Sequence, residues 1–206
     1  GIQVTIVPDL LTEPTAELAI GLMIALGRHI PAGDAAIRHS GFAGWRPQFY
    51  GTGITDSTVG FVGFGRVGRA IARRLSGFGC RIVAFDAEPF ESPGIEPMTF
   101  EQVMKTADFV VLGLPLTKAT TGLIDAEAIG WMRRGALLVN PARGSLVDES
   151  AVADALESGQ LGGYAADVFE CEDWARPGRP MAIDPRLTGP GARTVLTPHI
   201  GSAVMS

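Results

Sequence analysis

The 206-residue sequence lacks the features that mark several large classes of protein. Its two cysteines, Cys80 and Cys171, form no metal-type or redox-type pair, and we expect both thiols to be inert. The longest apolar run, residues 18–26, is well short of the roughly 20 residues that cross a bilayer, and no basic segment with a cleavage site opens the sequence, so we expect no signal peptide. We therefore expect a cytoplasmic protein without a membrane partner.

Positive charge is also scarce. The formal net charge is −5, and no cluster of Lys or Arg marks a surface for nucleic acid, so we expect no nucleic-acid partner. A hydrophobic content of 46% excludes disorder for most of the chain. The sequence begins with Gly1 rather than Met and runs past its last motif, through residues 200–206, without a closing helix. We expect that both ends have been cut.

Glycine, in contrast, is abundant. The 27 glycines indicate many tight turns or close approaches of backbone to a ligand. From residue 57 onward, short apolar runs alternate with helical stretches, which is typical of βαβ units whose helices cover both faces of a parallel sheet. We predict an α/β fold with a doubly wound parallel sheet, a Rossmann-type nucleotide-binding domain. The predicted strands cover residues 58–62, 81–85, 109–114, 136–139, 163–168 and 194–196.

The predicted helices alternate with these strands. They cover residues 67–78, 99–105, 125–132 and 148–157, with Gly79 and Gly159 as C-terminal caps. Residues 13–28 form an earlier helix with Thr12 as its N-cap, apolar almost all round and therefore buried on more than one side. Residues 40–56, rich in Gly and aromatics, predict a functional surface loop. We divide the chain into a linker helix and aromatic loop at 1–56 and a nucleotide-binding domain at 57–206.

A dinucleotide-binding turn is indicated by the run Gly63-Phe64-Gly65-Arg66-Val67-Gly68. In this G-x-G-x-x-G pattern the first glycine permits a tight turn, the second lets backbone approach a pyrophosphate, and the third allows close helix–strand packing. The run follows a predicted strand and opens a predicted helix, whose N-terminal N–H groups can bind the anion. The alternative is a tight turn without a ligand.

Asp86 ends the next predicted strand, 18 residues after Gly68. A carboxylate near this spacing accepts hydrogen bonds from both ribose hydroxyls and repels a 2′-phosphate, so the sequence predicts NAD rather than NADP. Glu88 and the absence of Arg from residues 87–93 support that preference. The alternative is that Asp86 only caps a turn at the end of the strand.

Three further motifs follow predicted strands, at the edge where a doubly wound sheet places its ligands. They contain Arg143, Glu172 and His199. An Arg fork can hold an anionic substrate, a His can take or give a proton, and a carboxylate beside it can hold the ring. Taken singly, they could be a surface ion-pair residue, a solvated loop acid and a turn histidine. Their joint placement after successive strands predicts a catalytic site without a metal.

These motifs together resemble the D-2-hydroxyacid dehydrogenase family. The resemblance rests on the glycine turn, Asp86 and the runs at 114–116, 140–149, 162–172 and 197–202. Within that family the chain is most similar to the phosphonate (phosphite) dehydrogenases. This narrower match rests on the runs at 7–12, 44–53, 164–170, 172–176 and 199–204, above all Trp-Arg-Pro-Gln-Phe-Tyr and Glu-Asp-Trp-Ala-Arg.

The resemblance implies a role for each matching residue. It implies that Arg143 orients the substrate, that His199 is the acid/base, and that Glu172 is its paired acid. Trp45 and Tyr50 would lie near the substrate pocket or at a dimer interface. Contacts with the cofactor are implied for Gly63, Gly65, Arg66, Val67, Gly68, Asp86, Gly113, Leu114, Pro115, Pro141, Ala142, Asp167, Ser202 and Thr15.

The function implied by the narrower match is NAD-dependent oxidation of phosphite, a small anion, to phosphate by a homodimer. The same Arg, Glu and His also suit a small 2-hydroxy or 2-oxo acid of the glycerate, lactate or glyoxylate type. A more distant alternative is an NAD-sensing protein like the C-terminal binding protein corepressors. The family's N-terminal segment, which forms most of the substrate domain, is largely missing from this sequence, so we expect the chain alone to be inactive.

Overall fold

A sheet of seven parallel strands forms the centre of the structure, a computed structural model that describes residues 10–205. Residues 1–9 and Ser206 lie outside the described residues, and with them parts of the predicted linker and of the 7–12 run. The strand order is β3-β2-β1-β4-β5-β6-β7, and every neighbouring pair is parallel. The strands are β1 Thr58–Val62, β2 Arg81–Phe85, β3 Ile95–Pro97, β4 Phe109–Leu112, β5 Ala136–Asn140, β6 Leu161–Ala166 and β7 Thr194–Leu196.

Helices cover both faces of this sheet. The helices are α1 Thr12–Gly27, α2 Ile30–Ser40, α3 Arg66–Leu75, α4 Phe100–Thr106, α5 Ala126–Trp131, α6 Glu149–Glu157 and α7 Pro185–Thr188, of which α2 buries none of its residues. On one face Ile71 of α3 shares a buried cluster with Val111, and on the other Met104 of α4 shares a second cluster with Leu112. Because successive residues of β4 are buried on opposite faces, the predicted doubly wound α/β fold is confirmed. Within residues 10–205, no helix is both long and apolar enough to span a membrane.

The direction of strand order reverses between β1 and β4. From β1 the chain moves outward to β2 and β3, returns through α4 to β4, and then continues on the other side through β5, β6 and β7. In doubly wound sheets, ligands bind beyond the carboxyl ends of the strands at such a reversal. The turns that leave β1 and β4 begin at Gly63 and Gly113, so these two glycines mark the expected position of the site.

The strand bounds follow the predictions closely, and β3 is the strand that the sequence pattern missed. It has three residues at the edge of the sheet, with one half-buried apolar side chain, Ile95, so no apolar run marks it. β4 ends at Leu112, two residues before its predicted end. At Gly113 the chain packs on the turn after β1, where an added Cβ would lie 2.6 Å from the carbonyl oxygen of Gly63. β6 also begins two residues before its predicted start and ends at Ala166. Gly79 and Gly159 both adopt the left-handed conformation expected of helix caps, with φ of 69°.

Helix α1 differs from the prediction at its start. Leu11 occupies the N-cap position and makes no side-chain capping bond, so the prediction of Thr12 as N-cap is wrong. The hydroxyl of Thr15 instead donates to the carbonyl oxygen of Leu11 at 2.7 Å. The helix is fully buried along the face that carries Met23 and lies on the sheet, whereas Ile24 is half-buried. Within this chain, α1 is therefore fully buried on its sheet-facing side and only partly buried on the side that carries Ile24.

Helix α2, residues Ile30–Ser40, was not predicted. None of its residues is buried, and its two large apolar residues, Ile30 and Ile37, are seven positions apart with Gly33 and Asp34 between them, so the apolar periodicity by which helices are recognised is weak. Its local signals are Pro31 in the first turn and the left-handed backbone of His29, with φ of 54°. The predicted aromatic loop consequently begins at Gly41, and it is largely exposed.

Candidate active site

The glycine turn after β1 is held by backbone packing. Gly63 has φ of 89°, and a Cβ there would lie 2.7 Å from the backbone of Gly113 and Leu114. A Cβ on Gly68 would lie 3.0 Å from the carbonyl oxygen of Gly63, so the third glycine lets α3 approach the turn. A Cβ on Gly65 would meet no atom within 4 Å. The middle glycine therefore opens onto free space at the N-terminus of α3, where backbone N–H groups can bind a pyrophosphate.

Asp86 at the end of β2 is fixed next to this turn. Its Oδ2 accepts a hydrogen bond from the N–H of Phe64 at 2.7 Å, and its Oδ1 accepts one from the N–H of Glu88 at 3.1 Å. A carboxylate offers about four acceptor positions, so capacity for ribose hydroxyls remains. The turn-capping alternative thus describes contacts that Asp86 makes, and it leaves the predicted ribose contact open.

A cleft of about 620 Å³ lies at the carboxyl ends of the central strands. It brings together most of the site residues predicted from the sequence: Thr15, Arg66, Val67, Gly113, Leu114, Pro115, Pro141, Ala142, Arg143, Asp167, His199 and Ser202. The lining also includes residues that the site prediction omitted: Leu11, Thr12, Leu112, Leu116 and Gly201. Each of the omitted residues lies within four positions of a predicted one, so extending the motifs by a few residues would have found them.

His199 and Glu172 form a direct pair at this cleft. The Nδ1 of His199 lies 2.7 Å from Oε2 of Glu172. Because a carboxylate only accepts, Nδ1 carries the proton and Nε2 is the nitrogen left for a substrate. The second oxygen of Glu172 accepts the N–H of Phe169 at 2.6 Å, which fixes the carboxylate. The pairing that the resemblance implied is therefore present in the structure.

Asp167 shapes the turn that carries His199. It is 2% exposed, and its carboxylate accepts from the hydroxyl of Thr197 at 2.6 Å, the N–H of Ile200 at 2.9 Å and the N–H of Gly201 at 2.7 Å. The N–H of His199 donates to the Asp167 carbonyl oxygen at 2.8 Å. Asp167 lines the cleft as the cofactor prediction requires, but its carboxylate is engaged by the 197–201 turn, a positioning role that the sequence did not indicate.

Asn140 plays a similar part for Arg143. This fully buried residue donates from Nδ2 to the carbonyl oxygen of Arg143 at 2.9 Å and accepts the N–H of Ala142 at 3.1 Å. The Arg143 guanidinium itself is exposed and donates from Nη1 to the Ala142 carbonyl oxygen at 2.6 Å. Within residues 10–205 the remaining guanidinium donors have no hydrogen-bond partner, so they can bind an anion. Asn140 begins the Asn-Pro-Ala-Arg motif, which was the available signal for it.

The comparisons with known proteins decide the family. The model of the D-isomer specific 2-hydroxyacid dehydrogenase NAD-binding domain matches residues 20–201. The chain belongs to this family. It is 41% identical over 213 residues to a glyoxylate reductase of Pyrococcus furiosus, with 98% of this chain and 60% of that protein covered. It is 39% identical over 209 residues to a D-3-phosphoglycerate dehydrogenase of Mycobacterium tuberculosis, with 98% and 37% covered.

A solved structure supports the same assignment. The NADPH-dependent glyoxylate/hydroxypyruvate reductase of Sinorhizobium meliloti, in complex with NADP and malonate, superposes with a TM-score of 0.88 at 32% identity, covering 99% of this chain and 62% of that one. This chain thus spans about 60% of the length of the glyoxylate reductases that it matches. As a dehydrogenase NAD-binding domain it takes NAD as its cofactor. The open backbone at Gly65 and the cleft beside it fit that group.

Two predicted pocket residues lie away from the cleft of this 2-hydroxyacid dehydrogenase domain. Trp45 and Tyr50 are 82% and 79% exposed, and neither lines the cleft. The structure of this chain therefore does not bring them to the substrate side, and the dimer-interface alternative stays a prediction. Among residues 10–205, no cluster of three or more His, Cys, Asp or Glu side chains could hold a metal ion.

Proposed function

We propose that this chain carries the cofactor site and the catalytic side chains of an NAD-dependent enzyme that interconverts a small 2-oxo acid and its 2-hydroxy acid. The observation that carries the proposal is that Arg143 and His199 line the cleft that also contains the start of α3, with Glu172 bound to the His199 ring. The glyoxylate reductase and phosphoglycerate dehydrogenase relatives support this substrate class.

In reduction of a 2-oxo acid, Arg143 binds the substrate carboxylate, since a guanidinium fork matches a carboxylate in geometry and charge. His199, protonated at both ring nitrogens, gives its Nε2 proton to the carbonyl oxygen as it becomes a hydroxyl, and Nε2 takes that proton back in the reverse direction. Glu172 keeps the ring oriented through the 2.7 Å contact at Nδ1. Bound NADH supplies the hydride. The preference for NAD over NADP rests on Asp86, whose negative charge disfavours a 2′-phosphate.

Phosphite oxidation is the second candidate. It is favoured by the Trp-Arg-Pro-Gln-Phe-Tyr loop and by the run at residues 172–176, which begins with Glu172, the partner of His199. In that reaction Arg143 would hold the phosphite oxygens and His199 would take a proton from the water that attacks phosphorus, while the P–H bond breaks and its hydride passes to the bound NAD. Both candidates use the same three side chains on a small anion, so substrate assays are required to distinguish them.

The test uses the full-length protein encoded by the gene that contains this chain. NADH oxidation is measured with glyoxylate and hydroxypyruvate, and NADH formation with phosphite, glycerate and lactate. We expect turnover with the organic acids. Turnover with phosphite alone contradicts the main proposal in favour of the second candidate. NAD binding without turnover on any of these substrates contradicts both and favours the NAD-sensing alternative.

A homodimer is also a proposal for this chain. Helix α2 and the loop after it expose several large apolar side chains in the single chain: Ile30, Ile37, Phe42, Trp45, Phe49 and Tyr50. Exposed apolar residues grouped on one segment are typical of a protein–protein interface. Light scattering coupled to gel filtration tests it, and a monomer at micromolar concentration contradicts it.

A further inference from the structure

The proposed function leaves the Glu-Asp-Trp-Ala-Arg run, residues 172–176, without a role beyond its first residue. In the structure, two of its side chains contact Ser145, which follows Arg143 by two positions. Oδ2 of Asp173 accepts the N–H of Ser145 at 2.6 Å, and Nη1 of Arg176 donates to the Ser145 hydroxyl at 3.2 Å. The segment that begins with the His199 partner therefore holds the turn that carries the substrate-binding arginine.

These contacts are made where the two segments already touch. Ser145 is fully buried, and Gly144 lies so close to the next segment that an added Cβ would overlap the Phe169 carbonyl group. Leu146 is fully buried as well. Water is thus excluded from the Ser145 N–H, and a buried donor of this kind depends on its one acceptor. In this structure that acceptor is Asp173.

Arg176 also binds Glu170, the acid that joins this segment to helix α6. It pairs with Glu170, which is 9% exposed. Glu170 and Glu149 each accept the backbone N–H of the other, at 3.2 and 2.8 Å, and so join this segment to the first turn of α6. Two buried carboxylates in this arrangement require positive charge nearby, which the Arg176 guanidinium supplies.

We propose that Asp173 and Arg176 are positioning residues that clamp Ser145 and thereby hold Arg143 and Glu172 in a fixed relation across the cleft. The effect on catalysis rests on the proposed function, because it requires a substrate held by Arg143 while His199, oriented by Glu172, moves a proton. A displacement of about 1 Å between such groups can lower turnover on the order of a hundredfold. The clamp itself is a property of the chain and can be measured without substrate.

The first experiment follows amide hydrogen exchange at Ser145 in the chain. Asp173→Ala removes the acceptor, and we expect exchange at Ser145 to accelerate on the order of tenfold or more, since bonds to charged groups are among the stronger ones. Asp173→Asn retains an amide oxygen that can accept the N–H, and we expect it to keep most of the protection. The control is Arg133→Ala, which breaks an ion pair with Asp108 at the amino end of β4, away from the cleft at the carboxyl ends.

The second experiment measures turnover in the full-length protein. Arg176→Ala and Asp173→Ala should each lower kcat for the acid substrate by about tenfold to a hundredfold while the Kd for NADH stays unchanged. Arg176→Lys keeps the charge but not the fork that reaches both partners, so we expect it to fall between wild type and Arg176→Ala. Asp173→Asn should recover most of the lost kcat, and Arg133→Ala should match wild type.

Each outcome has a definite meaning. Unchanged exchange at Ser145 in Asp173→Ala overturns the clamp. Accelerated exchange with kcat no lower than in the control overturns the positioning role. A parallel loss of NADH binding, or loss of kcat in Asp173→Asn and Arg176→Lys as large as in the alanine variants, means a purely structural role and also overturns it. If the wild-type protein turns over no acid, the proposed function fails, whereas the exchange experiment still decides whether the clamp exists.

Discussion

The two sides of the cleft are held together by different means. On the nucleotide side, Gly63, Gly68 and Gly113 bring backbone against backbone, and a side chain on Gly63 or Gly113 would overlap the facing turn. On the catalytic side, carboxylates accept backbone N–H groups from neighbouring turns: the buried Asp167 binds the 197–201 turn, and the half-buried Asp173 binds Ser145. Close packing therefore forms the glycine turn, whereas directed hydrogen bonds place the proposed catalytic side chains.

The largest effect on stability is expected on the catalytic side. Asp167→Ala removes the acceptor of three hydrogen bonds in a site that is 2% exposed. Bonds to charged groups contribute about 1.5–3 kcal/mol each, and water replaces part of that, so we expect a loss of about 4 kcal/mol in the free energy of unfolding. Urea titration measures it. A loss below about 1 kcal/mol would mean that the turn is held by packing, as on the nucleotide side.

Gly63→Ala is the corresponding change on the nucleotide side. The substitution combines φ of 89° with backbone atoms 2.7 Å from the new Cβ, so it adds both conformational strain and overlap. We expect a loss of about 3 kcal/mol in the free energy of unfolding. A thermal or urea titration of the chain measures it, and wild-type stability would contradict the close approach of the two turns.

Gly65→Ala separates ligand binding from packing within the same turn. Its φ is −76°, which any residue adopts, and an added Cβ would meet no atom within 4 Å, so we expect stability within about 1 kcal/mol of wild type. The methyl group would instead occupy space needed by the pyrophosphate. We expect NAD affinity, measured by calorimetry, to fall on the order of tenfold. Unchanged affinity would place the cofactor elsewhere.

The smallest effect is expected in the pH dependence of the free energy of unfolding, on the catalytic side of the cleft. Burial raises the pKa of the Glu149 carboxyl above its usual range. The folded chain therefore holds this proton more tightly than the unfolded chain, and its contribution to stability is lost as pH rises through the folded pKa. Glu149→Gln has no such proton, so its free energy of unfolding relative to wild type should increase between about pH 4 and pH 7. Urea titrations at both pH values test this, and a decrease would contradict it.

The sequence predicted the sheet and the glycine turn well because their signals are local. The strands are short apolar runs and the turn is six consecutive residues, and the structure leaves no room for a side chain at Gly63. Helix α2 was missed because it buries nothing, and β3 because it has one half-buried apolar residue. Those elements have no periodic pattern that reasoning from residues can detect.

The contacts that fix the catalytic side could not be predicted in the same way. His199 and Glu172 were paired from their motifs, and the 2.7 Å contact between them agrees with that pairing. The bond between Asp173 and Ser145, in contrast, joins residues 28 positions apart, and nothing in either motif indicates which backbone N–H an acid will meet. Such pairings follow from the way two loops fold over each other, so they require the structure.

We propose that His199 performs the proton transfer on the catalytic side, while the glycine turn independently binds NAD. The most direct measurement compares kcat for 2-oxo acid reduction and the Kd for NADH in full-length wild type and His199→Gln. We predict that kcat falls by about 10²–10⁴-fold while NADH binding is unchanged. Turnover retained within about tenfold of wild type would contradict the claim, because a positioned acid/base contributes more than that to the rate.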